Sequence, residues 1–279
     1  MSITRSRLYL FFKYAIYAFL TLNIYLFYAE ESAALPQQFP GGVGWHNVRE
    51  AYSATIDTFA WVVLLLMFEL ETYVLDDRHF TRPMTLTLHG LRALCYVAIL
   101  IAFGGYVDDM IFVSDAVPLA GVADLCALPP GDWAWAVTFG EYLPVTPANC
   151  ATVSDAATFV QLRDLPVVVD AAGHADIVRL AWVDVINAGV WIVVVLVLEL
   201  DVRLQEHNRF EGFALWASNT VKFVLYSILF LAAVYWGVKG DFVDFWDAFL
   251  WLVAFVFIEL NVFEWRAEER AAVAAKPDD

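Results

Sequence analysis

The chain has 279 residues, 61% of them hydrophobic and 17% charged, with a net charge of −16 at pH 7 and a mean hydropathy of +0.63. So apolar a composition excludes an ordinary soluble domain, and the sign of the charge excludes nucleic acid as a partner. Apolar runs long enough to cross about 30 Å of hydrocarbon recur along it, which makes the lipid bilayer its first expected partner.

Six crossings are read in chain order, near residues 8–28, 53–75, 89–113, 179–203, 214–238 and 243–265. All are read as helices, because a helix bonds its own backbone in lipid. Arg5 and Arg7 ahead of the first run resemble the start of a signal peptide, but Lys13 inside that run argues for its retention. If the N-terminus is inside, Arg5, Arg7, Lys13, Arg78, Arg82, Arg92, Arg203, Arg209, Lys222, Arg266, Arg270 and Lys276 lie in or near the cytoplasmic side. Only Arg49, Arg163, Arg179 and Lys239 lie outside. That bias predicts an inner (plasma) membrane protein of bacterial type, multi-pass, with both termini cytoplasmic.

The chain then divides into helices 1–3 over 1–113, an external insertion over 114–178, helices 4–6 over 179–265 and a cytoplasmic tail over 266–279. In the insertion, "DWAWAVTF" from Asp132 and "LPVVVD" from Leu165 predict strand. Cys126 and Cys150 fall in the same segment, on the oxidising side, and predict a disulfide staple for a domain too small for a large core. Cys95, within the third helix, is expected to be inert packing. The insertion carries Asp115, Asp124, Asp132, Glu141, Asp155, Asp164, Asp170 and Asp176 against Arg163 alone, so its face is strongly acidic. "GGYVDD", from Gly104 to Asp109, reads as a loosened helix end.

One spacing recurs. "WVVLLLMFELE" begins at Trp61, "WIVVVLVLELD" at Trp191 and "WLVAFVFIELN" at Trp251, placing Glu69, Glu199 and Glu259 in register. Asp57, Asn187 and Asp247 stand four residues before each Trp. On the preceding helices Lys13 with Tyr17, Arg92 with Tyr96, and Lys222 with Tyr226 each pair a base with a Tyr one turn later. The expected fold class is therefore an all-α integral membrane protein, six transmembrane helices in three tandem hairpin repeats, with a small, partly β external insertion between helices 3 and 4.

Base and acid in each hairpin sit at similar depth, so the expected contacts are Lys13 with Glu69, Arg92 with Glu199, and Lys222 with Glu259. Such pairs either fix helix register or line an ion pathway, in which the glutamates bind protons or cations. Tyr17, Tyr96 and Tyr226 are expected to support the pairs, and Trp61, Trp191 and Trp251 to pack. The second acidic position, Glu71, Asp201 and Asn261, is turned 200° around the helix from the Glu. It is expected at an interface or against a neighbouring hairpin.

The five histidines include no pair placed for haem ligation, and no HExxH, GxSxG, P-loop or dinucleotide fingerprint occurs. Catalysis is therefore disfavoured, and no cofactor and no metal site is expected. The expected function is a proton or cation channel or transporter; the alternative is a non-transporting accessory or scaffold subunit that docks a protein partner through its acidic external loop.

Overall fold

A computed structural model of the chain describes residues 3–71, 81–122, 124–129, 131–153, 156, 158–162, 165–207 and 212–255. The described residues form α1 (Ile3–Gln38), α2 (Val48–Ala51), α3 (Ser53–Glu69) and α4 (Arg82–Ser114), then five strands, then α5 (Ala171–Glu206), α6 (Phe213–Lys239) and α7 (242–255). The strands are β1 (Ala116–Pro118), β2 (Ala134–Thr138), β3 (Glu141–Pro144), β4 (Phe159–Leu162) and β5 (Val167–Asp170). Four helices are long and apolar enough to cross a membrane: Leu8–Gln38, Arg82–Ser114, Ala171–Gln205 and Phe213–Lys239.

These observations correct the expected fold class. The chain is not all-α, and among the described residues six transmembrane helices in three like hairpins are not present. The backbone at Tyr52 leaves the helical path (φ −140°, ψ 39°), which separates α2 from α3, so α3 begins at Ser53, where the second crossing was expected to begin. The crossings expected over 53–75 and 243–265 run on into residues outside those described. A recurring Trp-to-Glu spacing records like side chains at like intervals, and it does not oblige the helices that carry them to have like lengths.

Contacts divide the chain into two compact units, Met1–Asn23 with Leu196–Asp279, and Ile24–Val195. In the second unit the strands form one mixed sheet in the order β1-β4-β5-β2-β3, with β2 and β5 parallel and the other neighbours antiparallel. Val167, Val168 and Val169 on β5 are all buried. A continuous valine run of this kind suits an inner strand covered on both faces. Trp135, Phe159 and Leu162 join them, and Phe112 and Val113 from the end of α4 and Ile177 and Ala181 from the start of α5 complete the core. Cys126 and Cys150 are disulfide-bonded, with Cα atoms 5.0 Å apart, as the sequence predicts.

The joints between sheet and helices are short. Asp115 alone separates α4 from β1, and β5 passes into α5 with no residue between them. Asp170 closes β5 and its carboxylate accepts from the Gly173 amide (2.7 Å), which satisfies one of the donors that a helix start leaves open. His174 Nε2 meets the Val113 carbonyl oxygen at 2.8 Å and so ties the first turn of α5 to the last turn of α4.

Also in this unit, α3 packs on α4 through Ala60, Cys95 and Ile99. The predicted loosening at Gly104 to Asp109 does not occur, since α4 runs unbroken to Ser114. The glycines there serve close approach instead. A Cβ at Gly105 would collide with the Arg49 carbonyl oxygen and lie 2.8 Å from Ser53 Cβ. In the first unit α6 stops at Gly240, whose φ of 87° is left-handed and favours glycine. The chain therefore turns back at once into α7, whose Phe245 packs against Gly237 of α6.

Candidate functional site

Two kinds of carboxylate are held by the helices, distinguished by what they bond. The first kind meets a base. Arg92 on α4 reaches both carboxylate oxygens of Glu71 through one guanidinium nitrogen, at 2.7 and 3.0 Å. Lys222 on α6 bonds Asp201 on α5 at 2.9 Å, and Ser218 one turn earlier bonds the same oxygen at 2.8 Å. Both pairs span 21 residues of sequence. Asp201 is only 4% exposed, so its charge depends on Lys222 for compensation.

For Arg92 and Lys222 the acid is therefore the second position of the recurring spacing, not the first. Glu199 is exposed and pairs with Arg203 of its own helix at 3.1 Å, while Arg92 takes Glu71. The reason is helical geometry, because residues two apart face nearly opposite sides and the register between helices decides which of the two meets the base. Glu69 is buried, and Lys13 is fully buried with its ammonium 5.9 Å from the ring centroids of Tyr14 and Tyr17. Glu259, the expected partner of Lys222, lies outside the described residues, as does Asn261. Tyr17 is buried, Tyr96 is exposed, and Tyr226 packs against Phe255 with ring centroids 6.4 Å apart.

The tryptophans have a polar role that the sequence reading understates. Trp61 Nε1 donates to the Asp57 carboxylate one turn earlier (3.1 Å), and Trp251 bonds Asp247 across the same interval. Trp191 is buried against Trp61, ring centroids 6.3 Å apart.

The second kind of carboxylate bonds neutral groups, and here the sequence reading missed most of the participants. Asp109 on α4 is 7% exposed and accepts from the Ser53 hydroxyl at the start of α3 (3.1 Å). Glu31 on α1 accepts from the amides of Ala54 (2.7 Å) and Thr55 (3.2 Å) and from the Thr55 hydroxyl. Because Tyr52 supplies no side-chain cap, this carboxylate from another helix fills the open first turn of α3. Glu31, Glu50 and Asp184 lie near enough to Asp109 to act on it electrostatically, and Arg49 answers Asp108 at 2.8 Å. In the first unit, Asn23 on α1 donates its amide to Asp247 on α7 at 2.7 Å. Asn23 is fully buried, and its Oδ1 meets no hydrogen-bond donor among the described residues.

On the sheet, the Tyr142 hydroxyl accepts from Gln38 at the end of α1 (3.1 Å). Burial pushes its pKa up to about 12, with a smaller contribution from the charge of Asp109, against the Gln38 bond that lowers it. The signals for these groups were in plain view: Asn23 interrupts the first apolar run, Glu30 and Glu31 stand just past its end, and "GGYVDD" couples two glycines to two acids.

Among the described residues no three His, Cys, Asp or Glu side chains group to hold a metal ion. What the arrangement offers is carboxylates set among apolar helices and bonded to a hydroxyl, an amide or an indole, the setting in which a carboxyl group can take up and release a proton. No protein-family model matches this chain, and no curated protein or solved structure is similar to it.

Proposed function

We propose that this is a multi-pass membrane protein that moves protons or small cations by way of buried carboxylates. In this reading the disulfide-bonded sheet lies outside an inner (plasma) membrane and both termini lie in the cytoplasm. The observation that carries it is Asp109, an acid buried within a helix apolar enough to span, and bonded to a neutral serine rather than to a base. Burying an ionisable group is costly and marks a functional site, and a fixed structural charge would call for a cation such as Lys222 gives Asp201. The twelve-to-four bias of basic residues and the disulfide support the orientation.

The test is flux into liposomes under an imposed gradient, read with a pH-sensitive dye and with Na⁺ and K⁺ indicators. Asp109→Asn keeps the shape and the Ser53 bond, and the expected result is at least a tenfold loss of flux with the protein still folded. Folded, oriented wild-type protein that passes none of the three ions would overturn the pathway. That outcome would favour a non-transporting scaffold subunit, a reading supported by the separate core and disulfide of the sheet, which a pathway does not require.

A further inference from the structure

Asn23 and Asp247 pose a problem of proton count. An amide and a carboxylate facing each other share one hydrogen bond, here from Asn23 Nδ2 to Asp247 Oδ1 at 2.7 Å. The amide oxygen stands beside the amide nitrogen and needs a donor, yet Asn23 is 0% exposed and its Oδ1 finds none among the described residues. A buried acceptor left so is destabilising, because it has lost its water and gained no donor. Turning the amide over does not remove the difficulty, since it would bring two oxygens to 2.7 Å, a contact that only a shared proton makes attractive.

We propose that Asn23 and Asp247 form a proton-binding site, in which a proton taken up by the second carboxylate oxygen of Asp247 is donated to Asn23 Oδ1 and closes an acid–amide ring of two hydrogen bonds. The balance is one proton bound or released, with no other bond made or broken. This rests on the pathway reading above for its role and deepens it by naming the proton, rather than a metal cation, as what is carried. The surroundings favour that choice. Trp251 presents an N–H to Asp247, a donor that suits a carboxyl oxygen and repels a metal ion. Phe19, four residues before Asn23, and Trp246, next to Asp247 in sequence, meet edge to face at 5.8 Å and supply no oxygen ligands. The titratable groups of the packed elements include Lys13 and Tyr17 on α1, Tyr235 and Lys239 on α6, and Asp241 and Asp244 on α7; none bonds Asp247, whose partners among the described residues are Asn23 and Trp251.

Infrared difference spectroscopy on the full chain in lipid nanodiscs tests the site without relying on flux. Wild-type protein minus Asp247→Asn should contain one protonated-carboxyl band that shifts in D₂O, shifts again in Asn23→Leu, disappears as pH is raised, and does not respond to Na⁺. Asn at 247 mimics the protonated acid by pairing amide to amide, so that variant should fold, and its thermal midpoint should match wild type at low pH and exceed it once the band has gone. Absence of the band at every pH, its displacement by Na⁺ at constant pH, or a variant that melts below wild type at every pH would overturn the site. The two ideas fail separately: the band with silent liposomes keeps the site and removes the pathway, whereas proton flux without the band does the reverse.

Discussion

Arg92 and Asp109 lie on the same helix, about 25 Å apart at 1.5 Å per residue, and they show the two ways this protein keeps charge among apolar side chains. Near Arg92 the acid Glu71 has a base to neutralise it; near Asp109 the acid has a serine hydroxyl. The first unit repeats the contrast, with Asp201 on Lys222 and Asp247 on Asn23. A base–acid pair fixes one charge state and thereby fixes helix register. An acid on a neutral partner is not fixed in this way, and in the proposed function it is the one that changes its proton without losing its place in the fold.

Breaking a neutralised pair should have the largest effect. Lys222→Leu leaves the buried Asp201 charge uncompensated and should cost about 3–5 kcal/mol, most of it recovered in the Lys222→Leu, Asp201→Leu double variant. The more exposed Arg92 and Glu71 pair, with side chains 36% and 26% exposed, should show a coupling of about 1 kcal/mol. Thermal or denaturant unfolding in detergent measures both cycles, and additive losses at Lys222 and Asp201 would remove the distinction drawn here.

Gly105→Ala comes next. Its methyl group would press α2 and the start of α3 away from α4, at a cost of about 1–3 kcal/mol, and would part Ser53 from Asp109. The same variant should reduce flux although it alters no polar group.

Tyr142 sharpens the comparison on the sheet side. The folded protein keeps the phenol neutral where the unfolded chain has ionised, so stability is level below pH 10 and falls between 10 and about 12. Partial exposure screens the effect to on the order of 1 kcal/mol, and Tyr142→Phe should flatten the slope. Smallest of all, Asp109→Asn should change stability by less than about 1 kcal/mol, because the Ser53 bond survives. A loss as large as that of Lys222→Leu would mean that Asp109 is a fixed structural charge.

Legibility in the sequence followed the length of each signal. The disulfide could be read because two cysteines share the one long segment between spans, and β2 and β5 because "DWAWAVTF" and "LPVVVD" carry alternation and a β-branched run. β1, β3 and β4 read AVP, EYLP and FVQL, with no β-branched run like that of β5 and too few residues for alternation to rise above chance. The helix pattern located the long spans and the start of α3 at Ser53, but not α2, whose 4 residues are too few to show a period. At the site, sequence placed bases and acids at matching depth, yet Glu69 and Glu71 share that depth on opposite sides of one helix, and only packing selects between them. Asn23 and Asp247 are 224 residues apart, and nothing local in either stretch names the other.

The direct passage of β5 into α5 has a mechanical meaning. With one residue between α4 and β1 and none between β5 and α5, the sheet has no swivel on the two spans that carry it, and His174 clasps their ends together at Val113. Any torque on the sheet therefore enters both helices without slack.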